Sequence, residues 1–413
     1  MLDRPLVDAL YEAILNRDDR LLQYIEDNYA EDCVHLRMVA CTDDPGAINL
    51  DLDLGLRSCD YVTPIFEGPR VRFLSWQTAL QTRLSGGCSE VRLDYSLSFD
   101  SNFAQNLRAL VYGRNMSAVE RERVVLVLRL KAKNSRVQFD ILPFLNENIR
   151  FARDDQANQR PLETLIAFRM LDHLDWPAFL ADSSRLDFGE NIESLAKRLR
   201  PGEEAFLSSQ YTDARVLRQE VKALGTQALL LRLATLRRNH KQDLSSILRG
   251  LLDFSIFELG SIPITELALI WNGLSTKQPN AFFGPLMSPS ADIVKDARGM
   301  AWDLTHLRSL QDMARQTQLC SFFLPYFVSF DARWRRLLRL NPIRLLLLDD
   351  KMGNQAVGRT LDQDFLPQLE QALSDQARQA MEPAKIAARR EVAQKLDRSY
   401  AEVLVAREIR NWG

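Results

Sequence analysis

Three acids sit in sequence contexts where chemistry could be built. In Ser98-Phe99-Asp100-Ser101-Asn102-Phe103, an alternating apolar segment over residues 91–99 runs out onto Asp100, and helical spacing resumes at about Phe103. Tyr326-Phe327-Val328-Ser329-Phe330-Asp331 repeats the arrangement, with Trp334 opening the next helical pattern. Between them, Ala301-Trp302-Asp303-Leu304 places Asp303 in register with Leu307 and Leu310, against the apolar stripe of a helix. A buried charge is costly unless it is paired or metal-bound. In open α/β sheets, ligands bind outside the carboxyl ends of the strands. Carboxylates in such positions are the raw material for holding hard divalent cations. Each acid also has a plainer account: Asp100 as a helix cap, Asp331 as a cap or turn residue, Asp303 at the exposed edge of its stripe.

Other chemistries find no support. The chain has no GxxxxGKS/T loop, no GxGxxG after a strand, no HExxH and no GxSxG elbow. Four scattered histidines weigh against histidine-based catalysis, and five cysteines without a CxxC pair weigh against a zinc site and for a reduced, cytoplasmic protein. The 53 Lys+Arg against 55 Asp+Glu announce no global basic field. No stretch approaches the roughly 18 apolar residues that span a bilayer, Leu345-Leu346-Leu347-Leu348 being halted by Asp349-Asp350, and the first residues lack the order of a signal peptide, so neither membrane nor export is expected.

The elements that would position these acids follow from periodicity. At 413 residues with 46% apolar content, two or three packed units are expected. Residues 5–30 suit short amphipathic helices. Residues 33–40 and 48–54 suit strands joined through Asp43-Asp44-Pro45-Gly46 as a hairpin or small sheet, and residues 73–84 have helical spacing. After the strand at 91–99, the chain from Ser117 to about His240 is mainly helical. Its last part, residues 214–240, carries a leucine stripe with Arg215, Arg218, Arg232, Arg237 and Arg238. Those arginines are either a solvated face or a track for a nucleic-acid backbone. Residues 322–330 read as a buried strand, and the tail from about Phe365 is helical with a break at Pro383. Trp302, Trp334 and Tyr326 read as core.

Taken in order, a strand ending in Asp100 followed closely by Asn102, an acid on a later helix, Asp303 near a helix start and a last strand closing in Ser329-Phe330-Asp331 resemble the PIN-like (PilT N-terminal-like) nuclease domain over roughly residues 90–335. The resemblance implies a helix-rich α/β protein: an α/β/α sandwich around a central, mostly parallel sheet. It makes Asp100, Asp303 and Asp331 catalytic metal ligands, with Asn102 and Ser329 as small polar supports. The second, helix-borne acid is either Glu147 or Glu163. Glu147 is favoured because Leu142 and Leu145 make its face apolar, whereas Glu163 just after Pro161 suits a first-turn acid.

On that basis residues 1–89 form an N-terminal α/β region, 90–335 the PIN-like domain with a helical insertion at about 150–295, and 336–413 a C-terminal helical tail. The expected activity is a metal-dependent endonuclease, chiefly an endoribonuclease, using Mg²⁺ or Mn²⁺ to hydrolyse phosphodiester bonds by metal-activated water. By resemblance it could serve as a toxin or defence effector. RNA is then the partner, with a homo-oligomer or a regulatory protein as further partners. Two alternatives stand beside it: a non-catalytic helical scaffold or regulator that binds protein or nucleic acid, and a nucleotidyltransferase using Asp51 and Asp53.

Overall fold

The computed structural model describes residues 18–412 apart from 51–58, 76–77, 79–80, 82–83, 87–90, 156, 241–242, 277–281, 288–291, 317–320 and 352, and of the first seventeen residues only Leu6, Ala9, Leu10 and Ala13. Asp51, Asp53, Cys88, Cys320 and much of the expected N-terminal helix pair therefore lie outside the described residues.

The protein is α/β and helix-rich, with one parallel-centred sheet and one antiparallel sheet. The strands in chain order are β1 (Leu36–Cys41), β2 (Ile48–Asn49), β3 (Val62–Pro64), β4 (Arg70–Ser75), β5 (Leu93–Phe99), β6 (Val137–Asp140), β7 (Phe322–Val328), β8 (Ile343–Asp349) and β9 (Asn354–Arg359). The four-stranded sheet has the order β3-β7-β5-β6. In it β5 runs parallel to both β6 and β7, and β3 closes one edge antiparallel to β7. Every residue of β7 is buried, as expected of a parallel strand covered on both faces.

Six helices matter for the site: α1 (Ser101–Val111), α2 (Leu142–Asp154), α3 (Ala214–His240), α4 (Ile293–Met313), α5 (Ala332–Leu340) and α6 (Arg398–Trp412). The leucine stripe of α3 is core, with Leu229, Leu230, Leu231 and Leu233 fully buried. One continuous apolar core joins Phe99, Phe103, Phe144, Leu145, Phe327 and Trp334, so β5, β7, α1, α2 and α5 are held against one another.

The second sheet, β2-β4-β1-β8-β9, is antiparallel throughout and corrects several expectations. β1 does not form a hairpin with β2 but lies between β4 and β8, with Leu36 opposite Asp349. Residues 70–75, the last three of which overlap the expected helix at 73–84, form β4, because Val71, Phe73 and Ser75 pair across to β1. The tail is not purely helical either. The leucine run 345–348 is the buried strand β8, followed by β9. Pairing thus crosses both expected boundaries: the first 89 residues supply β3 to one sheet and share the other with residues 343–359. An unpaired strand edge needs a partner, and here the two ends of the chain cover each other. No helix among the described residues is long and apolar enough to cross a membrane.

Arg37 of β1 locks that closure. Its guanidinium donates to both carboxylate oxygens of Asp350, at 2.6 and 2.9 Å, and to the carbonyl oxygens of Ser321 and Arg315, each at 3.0 Å. Arg37 is buried, so Arg37→Ala leaves those acceptors unmet. We expect a loss of about 3 kcal/mol, read as a lower urea midpoint at unchanged slope.

Candidate active site

β5 and β7 run side by side with Phe99 opposite Val328, so the segments leaving their carboxyl ends start as neighbours. Asp100 follows β5 at once, its N–H donating to the carbonyl oxygen of Val328 at 3.1 Å. Asp331 follows β7 three residues later. Both acids cap helices. Phe103 N–H donates to Asp100 Oδ1 at 2.6 Å, and Arg333 N–H donates to Asp331 Oδ1 at 2.7 Å. Ser329 ties the two together: Asp331 N–H donates to Ser329 Oγ at 3.1 Å, and the Ser329 hydroxyl bonds to the Asp100 carboxylate. Ser329 and Asp100 are buried.

Glu147 enters from α2. The Ser101 hydroxyl donates to Glu147 Oε2 at 2.5 Å, and the Asn148 amide donates to Ser101 Oγ at 2.8 Å. From α4 come Asp303 and, one turn later, His306, whose Nε2 lies 4.0 Å from Glu147 Oε2. The imidazole sits between the rings of Trp302 and Phe327, with centroids 5.8 and 5.9 Å away. Neither of its buried nitrogens has a hydrogen-bond partner. Asp303 is half-buried and takes no hydrogen bond or ion pair among the described residues.

The acids perturb one another. Burial, reinforced by the charges of Glu147 and Asp331, pushes the Asp100 carboxyl up to about 7 against the pull of Ser329 and the Phe103 amide. Asp303 is held well above the usual carboxylate range, first by burial and then by the charges of Glu147, Asp331 and Asp100. Glu147 goes the other way: burial pushes it up, but His306, Ser101 and Arg150 together hold it below its ordinary value. Residues 100, 147, 303 and 331 thus share one electrostatic neighbourhood. As their side chains stand, no three His, Cys, Asp or Glu among the described residues come close enough together to hold an ion.

Arginines edge the acids. Arg333 lies 3.5 Å from Asp331. Arg150, one turn after Glu147, packs over the Phe151 ring at 4.6 Å with its Nε buried and unpartnered. Burial and the nearby charge of Arg298 lower its pKa. One strand over, Asp140 ends β6 directly opposite Ser98, whose hydroxyl donates to it at 2.8 Å, and burial raises its pKa.

The remaining sequence candidates lie elsewhere. Glu163 is taken by Arg108 at 3.3 Å and Arg114 at 2.9 Å, which suits the first-turn role. Asn102 is exposed on the first turn of α1, its carbonyl oxygen accepting from Asn106 at 3.0 Å. Much of the α3 arginine run is engaged within the fold: Arg215 pairs with Asp213, Arg232 approaches Glu408 of α6 at 3.7 Å, and Arg238 donates to the carbonyl oxygens of Asn411 and Trp412. Arg232 and Arg238 thus form a seam with α6, while Arg215 and Arg218 stay exposed. Trp302, Trp334 and Tyr326 are buried in the core.

Sequence reasoning passed over His306, Ser101, Asn148 and Asp140. His306 was open to inference, since three residues after Asp303 is one helical turn along the same face. No family model matches the chain, and no curated protein or solved structure matches it.

Proposed function

We propose that this protein is a divalent-cation-dependent endoribonuclease of the PIN-like kind, with Asp100, Glu147, Asp303 and Asp331 as the acids that would hold Mg²⁺ or Mn²⁺. One observation carries the proposal: acids from four remote chain segments share one electrostatic neighbourhood beside the carboxyl ends of two parallel strands, where Asp303 is pushed up first by burial and then by the charges of the other three. Carboxylates that repel one another in a partly buried place are relieved either by protons or by a cation.

The donor set suits a hard cation in kind, being carboxylate oxygens. Enclosing an ion calls for the side chains to draw together, and Asp303, without a hydrogen bond to break, is the freest of the four. Bound there, the cation would neutralise charge on a phosphodiester and lower the pKa of water to near neutrality. The protein's own groups do the positioning. The caps and Ser329 fix Asp100 and Asp331, and Ser101 fixes Glu147. Arg150 and Arg298 offer positive charge to phosphate oxygens beside the acids.

A melting series in rising Mn²⁺ or Mg²⁺ tests the site without relying on turnover. The wild type and Glu163→Gln should gain several degrees at saturation, and Glu147→Gln should gain little. A flat wild-type series in both cations would return the acids to capping duty and favour a non-catalytic scaffold.

A further inference from the structure

Beside the acids, at the carboxyl end of β6, a cavity of about 240 Å³ opens between α2, the first turns of α3 and the last turns of α4. Its walls are apolar, with Pro143 and Leu142 on one side and Val216, Leu310 and Met313 on the other. Its carboxylates are already engaged. Asp140 accepts from Ser98 and from the Leu142 amide, Asp213 is paired with Arg215, and Asp312 takes Gln355 and Lys222. Of its four carboxamides, Gln210 donates to Ser209 Oγ at 3.2 Å and Gln316 is exposed, which leaves Gln219 and Asn146. Gln219 Oε1 is buried with no hydrogen-bond partner, and the Asn146 side chain has none among the described residues.

Free carboxamides facing into a slot with apolar walls suit a flat, neutral ring that carries a donor beside an acceptor. A phosphate would meet the carboxylates unfavourably. Gln and Asn each present such a donor–acceptor pair, which matches the N6/N7 edge of adenine. The position fits as well. Asn146 precedes Glu147, and Ser309 of the cavity lies one turn beyond His306.

We propose that this cavity receives one unstacked adenine of a single-stranded nucleic acid whose backbone crosses the neighbouring acids, with Gln219 and Asn146 reading the base edge. The strand's path over the acids rests on the nuclease proposal above; the base site rests on the cavity alone.

The test separates the two. The full chain, in EDTA, is titrated with adenosine, cytidine, guanosine and uridine and followed by saturation-transfer NMR and calorimetry, so that neither cation nor phosphate takes part. Adenosine should bind saturably and roughly tenfold or more tighter than the other nucleosides, about one good base-edge contact's worth. Gln219→Ala and Asn146→Ala should each weaken it roughly tenfold at an unchanged melting curve, whereas Asp100→Asn should bind as the wild type. Absence of saturable adenosine binding overturns the base site, as does binding that neither amide variant disturbs, even if the protein cleaves RNA. Adenosine binding lost in Gln219→Ala, in a protein that cuts nothing with Mn²⁺, keeps the base site and removes the nuclease.

Discussion

Asp100→Asn and Asp331→Asn should each abolish Mn²⁺-dependent cleavage of a labelled single-stranded RNA, with a loss of roughly 10³-fold or more, while the fold stays intact. Both halves of this expectation come from the geometry. Asn is as good an N-cap as Asp, so the bonds from the Phe103 and Arg333 amides can be kept and α1 and α5 should not fray. What disappears is the negative charge, and with it the anionic donor for a cation that would supply several kcal/mol of transition-state stabilisation. Single-turnover cleavage of end-labelled RNA, with far-UV circular dichroism on the same samples, checks both halves. Glu163→Gln is the internal control: its carboxylate serves Arg108 and Arg114, so its loss should leave cleavage near wild type. Undiminished cutting by both Asp variants, or a wild type inert in Mn²⁺ and Mg²⁺, would sink the nuclease proposal.

The cap and the acid cluster stood as rival accounts of Asp100 and Asp331 in the sequence; the structure shows both caps, and a cap leaves room for the second role. A carboxylate has two oxygens, and one of them suffices for a cap. The two Ser-Phe-Asp endings were legible because an apolar run that stops on an acid is a local signal. Parallel pairing of β5 with β7 then brings them together. The choice between Glu147 and Glu163 rested on the apolar neighbours of Glu147, and the ion pairs of Glu163 agree with its first-turn position. What periodicity could not reach was pairing across the whole chain. The partner of Leu36 in β8 is Asp349, and no window of helical or strand spacing looks that far. The same blindness made β8 and β9 part of a helical tail. It also left the α3 arginines looking like a free basic face, when α6, more than a hundred and fifty residues on, takes up Arg232 and Arg238.

In the absence of added cation, stability should fall as pH rises from about 4 to 8, and Asp100 sets the scale. Its carboxyl titrates at about 7 in the fold against 3.8 as the ordinary value, because burial and the charges of Glu147 and Asp331 oppose ionisation. Between those two values the folded protein binds a proton that the unfolded chain has released. The resulting stabilisation is complete below 3.8 and is lost as pH passes through 7. About three pH units at 1.36 kcal/mol each make this about 4 kcal/mol. Asp303, also raised, acts in the same direction. Glu147 has the opposite sign: its lowered value favours the fold above its ordinary 4.5 and is lost on acidification below that, so the maximum should lie near pH 4. Urea midpoints at unit steps from pH 4 to 8 in EDTA measure the slope. Asp100→Asn, which has nothing to ionise at that position, should flatten it and should be more stable than the wild type at pH 8. Saturating Mn²⁺ should flatten it by another route, because a cation replaces the proton as the group that offsets the clustered charge, and its stabilisation should grow from pH 5 to pH 8. A midpoint that climbs steadily from pH 5 to 8 in EDTA, or an unaltered slope in Asp100→Asn, would mean that the Asp100 carboxyl is solvated well enough to ionise freely. The electrostatic ground for placing a cation among these acids would then be gone.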